Sequence, residues 1–418
     1  MNTRQRKLEL VKGRVLIVGV DVGKYGHVAA VRSADGEIVK KRILFDNNLS
    51  GFELLTNQVR CLCKQYNASR AVLGLEPTGH YWQALAYWWE DNEGPVALVN
   101  PMHTNRAKEL EDNSPLKNDS KDAEVISGLV ADGKYLECHL PRGVFATLRN
   151  LVMQRARCCA SEAQLINQIH QSVDRIFPEL VRVFSNLKVK SYRMLLLRYS
   201  DPASLARMRA ATLAKKLHKW SRGQLGNSRA EQIIDLARRS VGIREGTSAI
   251  SSEIKRLIRR LESVEADRRL IEAEIKTSLK QTPGAALLLS IPDFGPMTVA
   301  SILAHTGDLA AYQHPDQVIK LAGLNLFEIS SGQHKGRMRI TKRGRPHLRK
   351  VLYMAALRAS KRAGSFHYYY ARLVDNKTQP TVALVALMRK ILRVSWALVK
   401  KSEKFELSKL TQHLQQAA

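Results

Sequence analysis

The chain has 418 residues, of which 44% are hydrophobic, so it is long enough for two or three domains with sizeable cores. No apolar run approaches the ~20 residues of a membrane-spanning helix, and the first residues lack a signal-peptide core, which predicts a cytoplasmic protein with no membrane partner. Five cysteines without zinc spacing suit a reducing compartment and are expected to be packing residues: Cys61, Cys63, Cys138, Cys158 and Cys159.

The positive charge is unevenly distributed along the chain. It has 67 Lys and Arg against 38 Asp and Glu, a formal net charge of +29. Residues 1–140 contain 18 basic and 18 acidic residues, whereas residues 141–418 contain the other 49 and 20. A neutral first part joined to a strongly basic remainder favours a nucleic-acid enzyme over a membrane or metabolite protein. A generally basic accessory protein is the alternative.

The first 140 residues predict strands followed by alternating strands and helices. Residues 14–45 form three apolar runs, two of them joined by the hairpin sequence Ser33 to Gly36. Next come a helix over 49–67, a strand over 71–75, a helix from about Gly79 to Trp89, a strand over 95–99 and helices starting at Pro101 and near Asp119. This element order is typical of an RNase H-like α/β fold.

Four carboxylates in this region have the spacing of a metal site. Asp21 ends the apolar run 15–20, and Glu76 ends the run 71–75. Asp119 and Asp122 are three residues apart at the start of a predicted helix, so they share one face. Such a cluster of hard oxygen ligands predicts a Mg²⁺ site, at which Mn²⁺ could substitute, and Mg²⁺ serves phosphate chemistry.

The rest of the chain is predicted to be mainly helical. Apolar residues over 247–280 alternate spacings of four and three for about four heptads, with Arg268 in the seam. This pattern predicts either a coiled coil, which could join subunits, or a long helix packed on its own domain. The Gly-rich segment 332–346 predicts a loop or short ribbon, and helices are expected from His347 and over 380–402.

The C-terminal region carries a run of basic residues. From Ile329 to Val374 there are 12 Lys and Arg and no acidic residue. Basic side chains in this setting would hold a scissile phosphate and its neighbours and stabilise charge on the transferring group. Eight are expected to contact nucleic acid: Lys335, Arg337, Arg339, Lys342, Arg343, Arg345, Arg349 and Lys350.

Five motifs occur in one order along the chain: GVDVGK, LEPTGHYW, KNDSKDAEVI, LLSIPDFGPMTVASIL and KLAGLNLFEISSGQHKGRMRITKRGRPHLRKVLYMAA. Together they resemble the IS110-type insertion-sequence transposases, especially the IS1111 branch, an RNA-guided serine recombinase family. Pilin-gene invertases are similar too. The resemblance covers about residues 14–135 and 283–365.

The resemblance implies a domain plan and a set of site residues. It implies a RuvC-like DEDD domain over 1–140, a helical linker and coiled coil over 141–280, a C-terminal serine transposase domain over 281–375, and a helix and tail over 376–418. The family's four acids fall on Asp21, Glu76, Asp119 and Asp122. Its catalytic serine falls on Ser331, with the adjacent Ser330 as the alternative.

The resemblance also implies partners. Members form homo-oligomers, dimers or tetramers, in which one subunit's serine completes another's metal site. They use a structured guide RNA that pairs with the DNA of the element ends and of the target. The sequence therefore predicts a nucleoid-associated DNA transposase with a covalent serine–DNA step. A Mg²⁺-dependent junction-resolving nuclease without that step, and a non-catalytic nucleic-acid-binding protein, are the alternatives.

Overall fold

The computed structural model describes residues 3–111, 119–328, 330–331, 334–336 and 338–409. The side chains of Asp119, Ser330, Ser331 and Lys335 fall outside that description, as does Arg337 entirely. The chain forms two compact units, Met1–Leu140 and Pro141–Ala418.

Unit 1 is built on a six-stranded mixed sheet with strand order β3-β2-β1-β4-β5-β6. The first three strands are antiparallel, β4 and β5 run parallel to β1, and β6 pairs antiparallel with β5. The strands are β1 (Val15–Val22), β2 (Gly26–Ser33), β3 (Ile38–Asp46), β4 (Arg70–Leu75), β5 (Val96–Leu98) and β6 (Leu136–Glu137).

Helices cover both faces of this sheet. Residues of β1 alternate between two cores: Val18 packs with Phe52 and Trp89 on one face, and Ile17 packs with Ile126 on the other. Burial on both faces explains why β1 and β4 are continuous apolar runs. The helices are α1 (Thr3–Val11), α2 (Leu49–Gln65), α3 (Trp82–Asn92), α4 (Pro101–Glu111) and α5 (Asp119–Ala131).

The helix predicted from about Gly79 begins later, at Trp82. Gly79 has a φ of +64°, a left-handed conformation that cannot continue into a right-handed helix. The three predicted N-terminal strands are present, and the helix expected at Pro101 starts there.

Unit 2 is mostly helical, and two 34-residue helices run through it. These are α6 (Gly143–Ile176) and α11 (Thr247–Lys280). They are antiparallel, since Arg155 bonds Glu272 whereas Ser172 bonds Glu253. The shorter helices are α7 (Lys190–Tyr199), α8 (Pro202–Ala206), α9 (Ala210–Trp220), α10 (Asn227–Arg238), α12 (Ala285–Leu289), α13 (Pro296–Thr306), α14 (Pro315–Leu321), α15 (Pro346–Ala359), α16 (His367–Asp375) and α17 (Pro380–Lys401), with 3₁₀ turns at Pro178–Arg182 and Leu309–Ala311.

The heptad seam of α11 packs on α6 of the same chain. Ile250, Ile254, Leu257 and Leu261 are buried in a cluster with α6 residues and with α7, α9 and α10. Ile275 belongs to a second cluster, built from α12, α13, α15 and α17. The seam charge, Arg268, donates to Glu162 of α6 at 2.5 Å and to Glu272 at 2.9 Å. The packing of α11 on α6 therefore accounts for the heptad periodicity within one chain. A coiled coil between subunits stays a prediction.

Short strands interrupt the helices between α14 and α15. β7 (Leu326–Phe327) pairs antiparallel with β10 (Arg339–Ile340), and β8 (Ser330–Ser331) pairs antiparallel with β9 (His334–Lys335). The described part of the Gly-rich segment therefore contributes two short strands, β9 and β10.

Candidate active site

Asp21 and Glu76 occupy neighbouring positions at one edge of the unit 1 sheet. The parallel register of β1 and β4 pairs Val20 with Leu75. Asp21 and Glu76 each follow that pair by one residue, and both side chains are half-buried. Carboxyl ends of adjacent parallel strands meet at one edge, which is where side chains of α/β proteins converge on ligands. The two acids therefore lie side by side at this edge, as a shared site would require.

Helix α5 brings the other acids toward the same edge. Gly19 of β1 touches α5 so closely that a Cβ there would collide with the carbonyl oxygen of Ala123. Ala123 also packs against Val28, which is the β2 partner of Asp21. Residue alternation puts Asp21 on the α5 side of the sheet, with Gly19. The first turn of α5, with Asp119 and Asp122, thus lies beside the strand ends.

Asp122 is engaged by a lysine that the sequence analysis did not identify. The Nζ atom of Lys108 in α4 lies 2.5 Å from Oδ2 of Asp122, and both side chains are about a quarter exposed. Among the residues whose side chains are described, no three His, Cys, Asp or Glu form a group that could hold a metal ion. The donor chemistry nevertheless fits a hard cation, because Asp21, Glu76 and Asp122 offer carboxylate oxygens only.

The turn after Asp21 is held by hydrogen bonds. The backbone N–H of Gly23 donates to Nδ1 of His27 at 3.2 Å, and the backbone N–H of Asn47 donates to the Tyr25 carbonyl at 2.8 Å. His27 is 2% exposed, and burial lowers its pKa below the usual 6.5, while its bond with Asn47 opposes that shift. A neutral His27 ring is the form whose Nδ1 can accept from Gly23.

The predicted phosphate-binding residues divide into two groups. Arg339, Lys342, Arg343 and Lys350 are exposed. Arg345 and Arg349 are half-buried and donate to backbone carbonyls, Arg345 to His305 and Arg349 to Ala322 at 3.0 Å. The structure does not describe Arg337 or the Lys335 side chain.

Two glycines let the strands of this basic segment approach each other. A Cβ on Gly323 would lie 2.9 Å from both Nη1 of Arg349 and the carbonyl carbon of Lys342. A Cβ on Gly344 would lie closer still, against the backbone nitrogen of Gly323 and 2.5 Å from the carbonyl oxygen of Leu321. Thr341 then donates to the Asn325 side chain at 2.6 Å. These contacts fix the backbone that flanks the β7/β10 pair.

Ser331 lies in β8, directly opposite His334 of β9. The register makes these two residues neighbours across the β8/β9 pair. The sequence analysis did not single out His334. The sequence feature that could have predicted the pair is the spacing of three residues between Ser331 and His334, which suits a two-residue hairpin.

Burial produces an unusual histidine beneath the N-terminus of α15. His305 is 4% exposed, and its Nδ1 has no hydrogen-bond partner in the described part of the chain. Burial together with nearby cations lowers its pKa to about 4. Its ring stacks with His347 at a centroid separation of 6.0 Å. His305 is therefore neutral at physiological pH, and its carbonyl is the anchor for Arg345.

Two family models match this chain. A DEDD transposase family model of the IS110 group matches residues 18–178, and a model described as the transposase IS116/IS110/IS902 family matches residues 285–371. The first includes Asp21, Glu76, Asp119 and Asp122, and the second includes Ser330 and Ser331.

Curated relatives extend the similarity over most of the chain. The uncharacterized 44.8 kDa protein of insertion element IS116 from Streptomyces clavuligerus is 26% identical over 93% of this chain and 95% of its own length. The pilin gene-inverting protein of Moraxella bovis is 24% identical over 87% of this chain and 89% of its own length. The transposase for IS1111A from Coxiella burnetii is 28% identical over 32% of this chain and 38% of its own length.

A mixed sheet bearing strand-end carboxylates, followed by a helical remainder, fits the class of DEDD transposases with an RNase H-like domain. The chain belongs to the IS110 family of insertion-sequence transposases. Membership implies a DNA recombination enzyme that binds DNA and uses a divalent metal ion. Among the described residues, no helix is both long and apolar enough to cross a membrane.

Proposed function

We propose that this protein moves an insertion sequence by metal-dependent DNA cleavage and rejoining, through a serine–DNA intermediate. The adjacent register positions of Asp21 and Glu76, with the first turn of α5 beside them, are the observation that carries the proposal. The proposed metal site is RuvC-like. Mg²⁺, or Mn²⁺ in its place, is held there by Asp21, Glu76, Asp119 and Asp122. When bound, the ion would neutralise charge on the phosphoryl group and favour the alkoxide form of the attacking hydroxyl.

Ser331 is the proposed nucleophile. Its Oγ attacks the phosphorus of a DNA phosphodiester, a new Oγ–P bond forms and the P–O3′ bond breaks. The serine proton is lost and the departing 3′ oxygen takes up a proton, which leaves a 5′-phosphoserine link and a free 3′-hydroxyl. The link conserves the energy of the broken bond, so a 3′-hydroxyl can attack it in the rejoining step without ATP.

The basic segment holds the DNA backbone in this proposal. The exposed Arg339, Lys342, Arg343 and Lys350 would contact phosphates, together with Lys335 and Arg337. Arg345 and Arg349 would act mainly by bracing the backbone that flanks the β7/β10 pair, since both already bond backbone carbonyls. We assign sequence choice to a structured guide RNA, as the family resemblance implies. Phosphate contacts that read no bases are compatible with that assignment.

Trapping the covalent intermediate tests the serine step. Wild-type protein incubated with end-labelled element DNA and Mg²⁺ should yield a protein–DNA adduct that survives denaturation. Ser331→Ala should abolish it, Ser330→Ala should retain it, and Asp21→Asn or Glu76→Gln should reduce it at least 10³-fold. Normal recombination by both serine variants would exclude the covalent step, and cleavage without an adduct would indicate the junction-resolving nuclease. Unchanged activity in the two acid variants would indicate a non-catalytic binding protein.

Mixed oligomers test the proposed sharing of sites. If one subunit's acids serve another's serine, a mixture of Asp21→Asn and Ser331→Ala proteins should recover part of the activity that each lacks alone. A mixture as inactive as its components would mean that each subunit needs its own acids and serine. The guide RNA is tested separately, by sequencing the RNA that co-purifies with the protein expressed beside its flanking DNA. Recovery of bulk cellular RNA alone would count against guidance.

A further inference from the structure

The loop that follows Asp21 presents an aromatic ring to solvent. Tyr25 is 78% exposed, although a tyrosine ring carries a large apolar surface. The loop is the direct continuation of β1, so the ring lies four residues past a carboxylate of the candidate site. Hydrogen bonds hold the backbone of this loop in one conformation.

Three contacts fix the backbone around Tyr25. Asn47 donates its backbone N–H to the Tyr25 carbonyl at 2.8 Å and its side-chain Nδ2 to the Lys24 carbonyl at 3.2 Å. Gly23 is tied to His27, and it approaches the carbonyl of Gly26 so closely that only glycine fits there. A ring on a fixed turn loses less entropy on binding than one on a mobile loop.

The charge beside the ring favours a nucleic-acid ligand. The Nζ atom of Lys24 lies 4.8 Å from the centroid of the Tyr25 ring, and it stands over one face of that ring. Because 78% of Tyr25 is exposed, a flat ligand can approach the ring, and the ammonium can reach an adjoining phosphate. The loop after the neighbouring strand β4 also carries aromatic rings, since the exposed His80 packs on Tyr81 with centroids 4.2 Å apart.

We propose that Tyr25 is a stacking platform for an unpaired nucleobase beside the scissile phosphate, with Lys24 contacting the backbone of the same strand. The inference rests on the proposed nucleic-acid chemistry at the carboxylate site and adds its ligand: single-stranded or unpaired DNA, held through a base face. Stacking on an aromatic side chain is tolerant of sequence, so this contact holds the strand without selecting its base sequence.

Equilibrium binding with Ca²⁺ in place of Mg²⁺ tests the platform separately from catalysis. The probes are a short single strand containing 2-aminopurine and a blunt duplex of the same sequence. Tyr25→Ala should lower affinity for the single strand about 5- to 100-fold and leave duplex affinity unchanged. Tyr25→Phe should bind like wild type, because it keeps the ring. Lys24→Ala should reduce the slope of log affinity against log salt by about 0.7, whereas Tyr25→Ala should not.

Tyr66→Ala is the matched control, because Tyr66 is also exposed in unit 1, just past the last residue of α2. Equal single-strand affinity of wild type and Tyr25→Ala would overturn the platform while leaving the proposed function intact. A wild-type protein that binds neither probe would instead contradict the proposed function. A Tyr25→Ala protein with unchanged DNA affinity but a reduced mass in light scattering would assign the ring to subunit contact and overturn the inference.

Discussion

The ammonium of Lys108 lies 2.5 Å from Oδ2 of Asp122, so a lysine neutralises one of the four candidate metal ligands. The two residues lie on successive helices, α4 and α5, which contact each other. A cation at this carboxylate relieves repulsion among the acids and competes with a metal ion for the same oxygen.

We expect Lys108→Met to tighten divalent-metal binding by about tenfold, because the competing charge is removed while much of the apolar stem is kept. Mn²⁺ titration followed by electron paramagnetic resonance measures the affinity. Lys134→Met is the control, since Lys134 pairs with Asp132 at 2.7 Å at an exposed position just beyond α5. Weaker Mn²⁺ binding by the Lys108 variant would show instead that the lysine positions Asp122 for the metal.

Gly19→Ala should destabilise unit 1 by about 3 kcal/mol, because the new methyl group would collide with the α5 backbone at Ala123. Urea unfolding followed by circular dichroism measures the loss. Gly128→Ala, on α5 itself, should be neutral or stabilising by up to about 1 kcal/mol, since its Cβ would meet only Arg32 at 3.8 Å or more. Equal stability of the two variants would contradict the close approach of α5 to β1.

Arg268→Ala should destabilise the α6/α11 pair by about 1–3 kcal/mol, because it strips Glu162 and Glu272 of a shared partner. A double-mutant cycle with Glu162→Ala measures the coupling between the two side chains. The interaction is charge-assisted, and hydrogen bonds from arginines lower the pKa of Glu272 although burial alone would raise it. A cycle that gives zero coupling would contradict the observed pairing.

His305 should make the stability of unit 2 depend on pH. Its pKa is about 4 when folded against 6.5 for the free group, so below pH 6.5 the unfolded state binds the additional proton. Stability should therefore fall as pH decreases from 6.5 toward 4, by on the order of 3 kcal/mol in total.

Denaturation of wild type and His305→Phe at about pH 7.5 and about pH 5 measures this dependence. Phenylalanine keeps most of the buried volume and cannot be protonated, so the variant should lose less stability between the two pH values. An identical loss in both proteins would mean that other groups cause it.

The acids and strands could be predicted from the sequence because each depends on local pattern. The apolar runs that end at Asp21 and Glu76 predict two buried strands, and their parallel register follows from the element order. Lys108 could not be predicted, since nothing in the spacing of residues 108 and 122 requires an ion pair between two helices. The heptads of α11 predict a long partner helix but do not identify it. Apolar residues at alternating spacings of four and three can pack against the apolar stripe of any long helix. The exposed ring of Tyr25 could have been predicted, because an aromatic residue stands between Gly23 and Gly26 just past a carboxylate.

The 34-residue helices α6 and α11 carry a core cluster toward each end. Leu148 and Leu151 of α6 lie in the cluster with α13 and α15, whereas Leu165 and Ile169 lie in the cluster with α7 and α9. At 1.5 Å per residue, the rise from Leu148 to Ile169 is about 32 Å. The separation of the two cores is thus encoded by the number of residues between them. Removing one heptad from each helix would preserve the seam and bring the cores about 10 Å closer. Matched insertions or deletions of whole heptads would therefore change the dimensions of unit 2 while the local packing stays the same.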